Sequence, residues 1–151
     1  MRYLKIDLTK CEAGATCNFE CEAACAKKSF KSEDQAHSAI KMREIRAEDG
    51  SIQRIEVICN QCGDCIEICP SKALTRNRLG AVMIDKEICV GCYMCVGFCE
   101  SSTFYQYPGE VHPFKCKACG TCVKACPHSA LEIIKEAPAE SATQKRAEEH
   151  P

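Results

Sequence analysis

Thiolates at short, regular intervals can hold iron and pass single electrons, and the chain has a stretch built that way. Residues 59–70 read CNQCGDCIEICP, with two residues between Cys59 and Cys62, two between Cys62 and Cys65, three between Cys65 and Cys69, then Pro70. This is the spacing of a [4Fe-4S] ligand run whose fourth cysteine serves the other cluster of a pair. Cys65 and Cys69 stand at i and i+4, so a short helix from Cys65 aims Cys69 at a neighbouring site. Pro70 stops that helix, and Gly63 supplies the positive-φ turn before it.

The run recurs. Cys89, Cys92, Cys95 and Cys99 repeat the spacing with Glu100 in place of the proline, a departure that bears on the local turn and not on ligation. Cys116, Cys119, Cys122 and Cys126 repeat it with Gly120 and Pro127. Cys11, Cys17, Cys21 and Cys25 form a looser first group that keeps only the final gap. Sixteen cysteines thus divide into four quartets without remainder, which predicts four [4Fe-4S] clusters.

Composition bounds the alternatives. Cysteine makes up about 11% of 151 residues, the level of a cross-linked or metal-bound scaffold. MRYLKIDLTK reads neither as a secretory signal nor as a twin-arginine leader, and no apolar run approaches the ~18 residues of a membrane span. A cytoplasmic setting without membrane insertion is therefore expected, where a disulfide framework is disfavoured. With cysteine set aside, only about a third of the chain is apolar, thin for a self-sufficient core, so the apo-protein is expected to be largely unfolded. The formal charge of −1 becomes roughly −9 once four clusters are counted, which argues against nucleic acid as a partner. Lys115, Lys117 and Lys124 near the last run offset cluster charge or face an acidic partner.

The elements that must position these cysteines are short. Residues 2–9 alternate as a half-buried strand, residues 26–39 are polar and unpatterned and read as a loop, and residues 40–58 form a hairpin around Glu-Asp-Gly-Ser. His37 reads as solvated and His128 as a turn residue, since every cluster already has a cysteine set. Residues 73–77 and 81–85 read as paired strands around Leu79-Gly80. The aromatic stretch 103–108 reads as packing over a cluster, 111–114 as a short strand, and 130–136 as the closing strand. Residues 138–151 form a tail, disordered alone or laid on a partner.

Strand, cysteine run, short strand is the repeating unit, and two units make one dicluster-ferredoxin-like half. The expected fold is α+β with two bacterial dicluster-ferredoxin-like halves, nested: the compact connection joins the second and third groups, leaving the first with the fourth. Residues 1–26 plus 110–137 form the outer half, 54–109 the inner half and 27–53 a loop and hairpin linker, with the two terminal strands paired. The exchange rule then gives four ligand sets. They are Cys11, Cys17, Cys21 and Cys126; Cys116, Cys119, Cys122 and Cys25; Cys59, Cys62, Cys65 and Cys99; and Cys89, Cys92, Cys95 and Cys69.

The order of a loose first group, CNQCGDCIEICP, GAVMIDKEICVGCYMC and KCKACGTCVKACPHSAL resembles the four-cluster electron-transfer subunits of anaerobic oxidoreductases. Relatives serve dimethyl sulfoxide reductase, formate dehydrogenase, hydrogenase and carbon monoxide dehydrogenase. The short chain is most similar to the polyferredoxin subunits of tungsten-containing aldehyde oxidoreductases and of class II benzoyl-CoA reductases. The resemblance implies a non-catalytic subunit of a hetero-oligomer, with one or more copies beside a larger pterin-containing subunit and a flavin subunit or ferredoxin as a redox partner. It also implies nested ligand pairing.

The competing readings fit less well. A zinc-binding interaction module wants two close pairs separated by a longer loop, which three compact runs do not offer. No phosphate loop or nucleophile–base pairing marks an enzyme. A freely diffusing polyferredoxin needs one or two clusters, whereas four suit a row across a fixed gap.

Overall fold

In the computed structural model, which describes residues 1–12 and 15–136, six strands and four helices form a small mixed α/β fold. Strand β1 (Arg2–Ile6) buries Leu4 and Ile6 and exposes Lys5, as its alternation requires. It pairs antiparallel with β6 (Leu131–Lys135), setting Leu4 opposite Ile133 and Ile6 opposite Leu131. The terminal strands thus pair as the sequence predicts. The Asp7 N–H extends the ladder to the Ala130 carbonyl at 2.7 Å.

The hairpin is β2 (Lys41–Arg46) with β3 (Ile52–Val57). Its turn is tied by Asp49, whose carboxylate accepts from the Ser51 N–H at 2.8 Å and hydroxyl at 2.6 Å. Strands β4 (Leu74–Arg76) and β5 (Val82–Ile84) pair around a turn held by the Asn77 side chain, which accepts from the Leu79 and Ala81 N–H groups.

Each cysteine run ends in a helix: α1 (Glu20–Phe30), α2 (Asp64–Ile68), α3 (Met94–Gly97) and α4 (Thr121–Ala125). Helix α1 packs on α4, and α2 packs on α3. One apolar cluster joins Leu4, Ile6, Ile40, Phe114 and Leu131 to Cys59, Cys116 and Cys122. A second joins Leu74, Val82 and Phe104 to Cys69 and Cys95. Burial of each large aliphatic side chain contributes about 1.5–3 kcal/mol.

Three expectations need correction. The 26–39 loop is instead the second half of α1 followed by a 3-10 turn over Gln35–His37. Cys21, Cys25, Ala26 and Phe30 make an apolar stripe once cysteine is counted as apolar, and Lys27 and Lys28 complement the helix dipole in the last turn. His37 is not simply solvated: its ring lies 3.5 Å from Tyr107 and 4.8 Å from Phe30, centroid to centroid. Residues 111–114 form no strand; Phe114 alone bridges to Tyr105. The predicted tail, residues 138–151, lies outside the described residues.

Candidate metal centres

The regular runs share a backbone, not only a spacing. Gln61, Gly91 and Ala118, each two residues past the first cysteine, take φ of 63°, 67° and 48°. Gly63, Tyr93 and Gly120, each following the second cysteine, take φ of 101°, 58° and 84° and open the helices. Lys72, Ser102 and Ser129, three past the fourth cysteine, are left-handed as well, and their N–H groups return to the carbonyls of Cys69, Cys99 and Cys126. The turn after Cys99 is therefore kept although Glu100 replaces proline. Left-handed residues swing successive N–H groups inward: Gln61 N donates to Cys59 Sγ and Ala118 N to Cys116 Sγ, both at 3.4 Å. Ala39 N and Ala130 N likewise donate to Cys25 Sγ and Cys126 Sγ at 3.4 Å.

The sixteen predicted ligands line four cavities, four to each. Cys11, Cys17, Cys21 and Cys126 line one of about 360 Å³, with His128 on its wall. Cys25, Cys116, Cys119 and Cys122 line one of about 340 Å³. Cys59, Cys62, Cys65 and Cys99 line one of about 590 Å³, and Cys69, Cys89, Cys92 and Cys95 one of about 340 Å³. Helix geometry explains this grouping of cysteines by cavity. Cys21 and Cys25 lie one turn apart on α1 and address different cavities; Cys122 on α4 and Cys126 at its end do the same. His128 does sit in a turn, its ring 2.9 Å from the Thr16 hydroxyl.

The cavities follow one another in a row. Cys122 of the second feels the charge of Cys21 of the first. Cys116 of the second feels Cys59 of the third, and Cys65 of the third feels Cys95 of the fourth. Burial, ahead of these neighbours, pushes the thiols of Cys21, Cys65, Cys116 and Cys122 up to about 12 and that of Cys95 up to about 11. At Cys69 burial also pushes upward, but the Ser71 hydroxyl and the N–H groups of Ala73, Leu74 and Ser71 outweigh it and the thiol is lowered. Thiolates at the raised positions need a compensating cation, which iron supplies.

The donor set fits a polynuclear cluster. Four thiols ring each cavity, whereas among the described residues no three His, Cys, Asp or Glu converge closely enough to hold a single ion. Among the described residues, one cation is buried beside these cavities. Lys115, 5% exposed, donates from Nζ to Cys59 Sγ at 3.4 Å, to Gln61 Oε1 at 2.9 Å and to the Cys116 carbonyl at 3.1 Å. Of the three lysines noted in the sequence, Lys117 and Lys124 are exposed. Sequence reasoning did not single out Gln61 or Arg76. The Arg76 guanidinium donates to the carbonyls of Gln61, Cys62 and Gly80, fixing the second run against the β4–β5 turn.

Residues 81–127, which hold the third and fourth runs, match the family described as "4Fe-4S dicluster domain". The chain is 30% identical over 151 residues to "Uncharacterized ferredoxin-like protein YdhX" of Escherichia coli O157:H7, covering 90% of this chain and 66% of that protein. It is 28% identical over 150 residues to "Probable anaerobic dimethyl sulfoxide reductase chain YnfG" of Escherichia coli (strain K12), covering 85% and 70%. Over 93 residues it is 32% identical to "Thiosulfate reductase electron transfer subunit PhsB" of Salmonella typhi, covering 54% and 48%. The chain thus spans just under two thirds of YdhX and less than half of PhsB. With sixteen cysteines and this domain, the chain carries several [4Fe-4S] clusters. Among the described residues no helix is long and apolar enough to cross a membrane.

Proposed function

We propose that this chain is a non-catalytic electron-transfer subunit of an oxidoreductase complex, carrying single electrons through four [4Fe-4S] clusters. The row of four cysteine-lined cavities carries this reading. The names of the anaerobic reductase chain and the electron transfer subunit among its relatives agree with it.

A bound cubane supplies a site that accepts and releases one electron without breaking a bond. The chain does the rest. Each cavity's four cysteines hold one cluster, in the four sets named from the exchange rule. Inward N–H groups at Gln61, Ala118, Ala39 and Ala130 stabilise negative charge on sulfur without moving. A dicluster pattern over residues 81–127 would make the third and fourth runs neighbours. The cavities instead group Cys69 with the third run and Cys25 with the fourth, and β1 pairs with β6, which supports nested halves. In domain terms these are residues 1–26 with 110–137, and 54–109.

The family resemblance points to a larger tungsten- or molybdenum-pterin aldehyde oxidoreductase subunit as the partner, in the cytoplasm. Anoxic co-purification tests both levels. A larger subunit that stays bound through salt and gel filtration and contains tungsten or molybdenum supports the reading. A partner containing nickel without either metal overturns the aldehyde-oxidoreductase assignment. A chain that emerges alone is a diffusing polyferredoxin.

A further inference from the structure

Among the described residues, the buried amine of Lys115, at the boundary between the second and third cavities, has no carboxylate partner. All three of its hydrogen bonds go to neutral oxygens or to sulfur: Gln61 Oε1, the Cys116 carbonyl and Cys59 Sγ. An ammonium removed from water without an anion is costly, and long flexible side chains are seldom buried so fully unless paired. A thiolate-ligated cluster at Cys59 is the anion that position lacks.

We propose that Lys115 is a positioning residue for electron transfer, raising the reduction potential of the cluster held by Cys59, Cys62, Cys65 and Cys99. The inference rests on the cluster reading above. Reduction by one electron, with no proton taken up, adds one negative charge to that cluster. A fixed ammonium in contact with one of its sulfurs stabilises the reduced form more than the oxidised one. The contact is short and buried, so salt screens it little. Burial raises the Cys62 thiol, and the Asp64 carboxylate on the same cavity adds to that rise and so acts in the opposite sense to Lys115, but it belongs to the helix start and not to the boundary between cavities. Because Lys115 also touches the Cys116 carbonyl, the cluster of the second cavity feels the same charge from further away.

The test is a redox titration of the anoxically purified full chain, followed by electron paramagnetic resonance. Lys115→Met should lower one midpoint clearly, move a second less in the same direction and leave two in place, while Lys115→Arg restores the original pattern. Four unmoved midpoints, or four that shift equally, overturn the proposal while leaving the cluster reading intact. Unsubstituted protein that yields no cluster signals defeats that reading instead. Should Lys115→Met lose iron, the unsubstituted protein labelled with ¹⁵N at lysine Nζ decides. Pulsed measurements on its reduced form should detect a ¹⁵N coupling to one cluster, and its absence overturns the contact.

Discussion

The Gln61 side-chain amide, fully buried, donates to the Cys116 carbonyl at 2.7 Å across 55 residues of sequence. Its oxygen accepts from Lys115 Nζ and from the Val82 N–H, both at 2.9 Å. One side chain therefore ties the second run to the fourth and to β5. Gln61→Ala leaves the Val82 N–H buried without a partner and the Cys116 carbonyl with Lys115 alone, at roughly 1–3 kcal/mol for the orphaned donor. The urea midpoint for loss of visible absorption should fall markedly. An unchanged midpoint would show that water takes over the bond to the Val82 N–H.

Cys21 and Cys25 share α1 but line different cavities. Cys25→Ala should alter the same paramagnetic signal as Cys119→Ala, and Cys21→Ala the same one as Cys11→Ala. If Cys25→Ala and Cys59→Ala instead affect a common cluster, the halves are sequential and the ligand sets are wrong.

Gly91 has φ +67°, and a Cβ there would sit 2.8 Å from the Val111 carbonyl oxygen, a backbone atom with little freedom to retreat. Gly91→Ala should destabilise the third run by about 1–3 kcal/mol, seen as faster bleaching of the loaded protein in denaturant. Gly97, with open space around its Cβ position, is the control: Gly97→Ala should bleach no faster than the unsubstituted chain.

Asp34 joins the 3-10 turn to the aromatic segment, accepting from the Ala36 N–H at 2.8 Å and the Tyr107 hydroxyl at 2.8 Å. These bonds, the Ala36 N–H first, hold its carboxyl below the usual carboxylate range. A depressed folded pKa contributes stability above the unfolded value, near 4, and that contribution is lost as pH falls through the folded value. Protection of the Ala36 N–H from hydrogen exchange should therefore weaken on acidification. Asp34→Asn should abolish that pH dependence; an Asn variant that keeps it would assign the titration to another group.

Much of the site was legible because cysteine spacing dictates helix phase. The i, i+4 step from Cys65 to Cys69 forces a short helix, and α2 and α4 stand where the runs put them. Alternation in residues 2–9 marked β1, residues 130–136 read as the closing strand, and leaving the first cysteine group with the fourth paired the two. What stayed hidden was set by distant partners. Helix α1 runs on to Phe30 because that ring meets Phe114 edge-on, centroids 4.8 Å apart, a contact no local pattern announces. His37 lies tilted against Tyr107, brought in from 70 residues away. Gln61, Lys115 and Arg76 act through polar bonds spanning the two apolar clusters, and such bonds leave no periodic trace in a sequence.

Iron and acid-labile sulfide counted together, on anoxically purified full-length chain, test the central claim most directly. Four cubanes in a row require about sixteen of each per chain. About four of each, or zinc in their place, would contradict it.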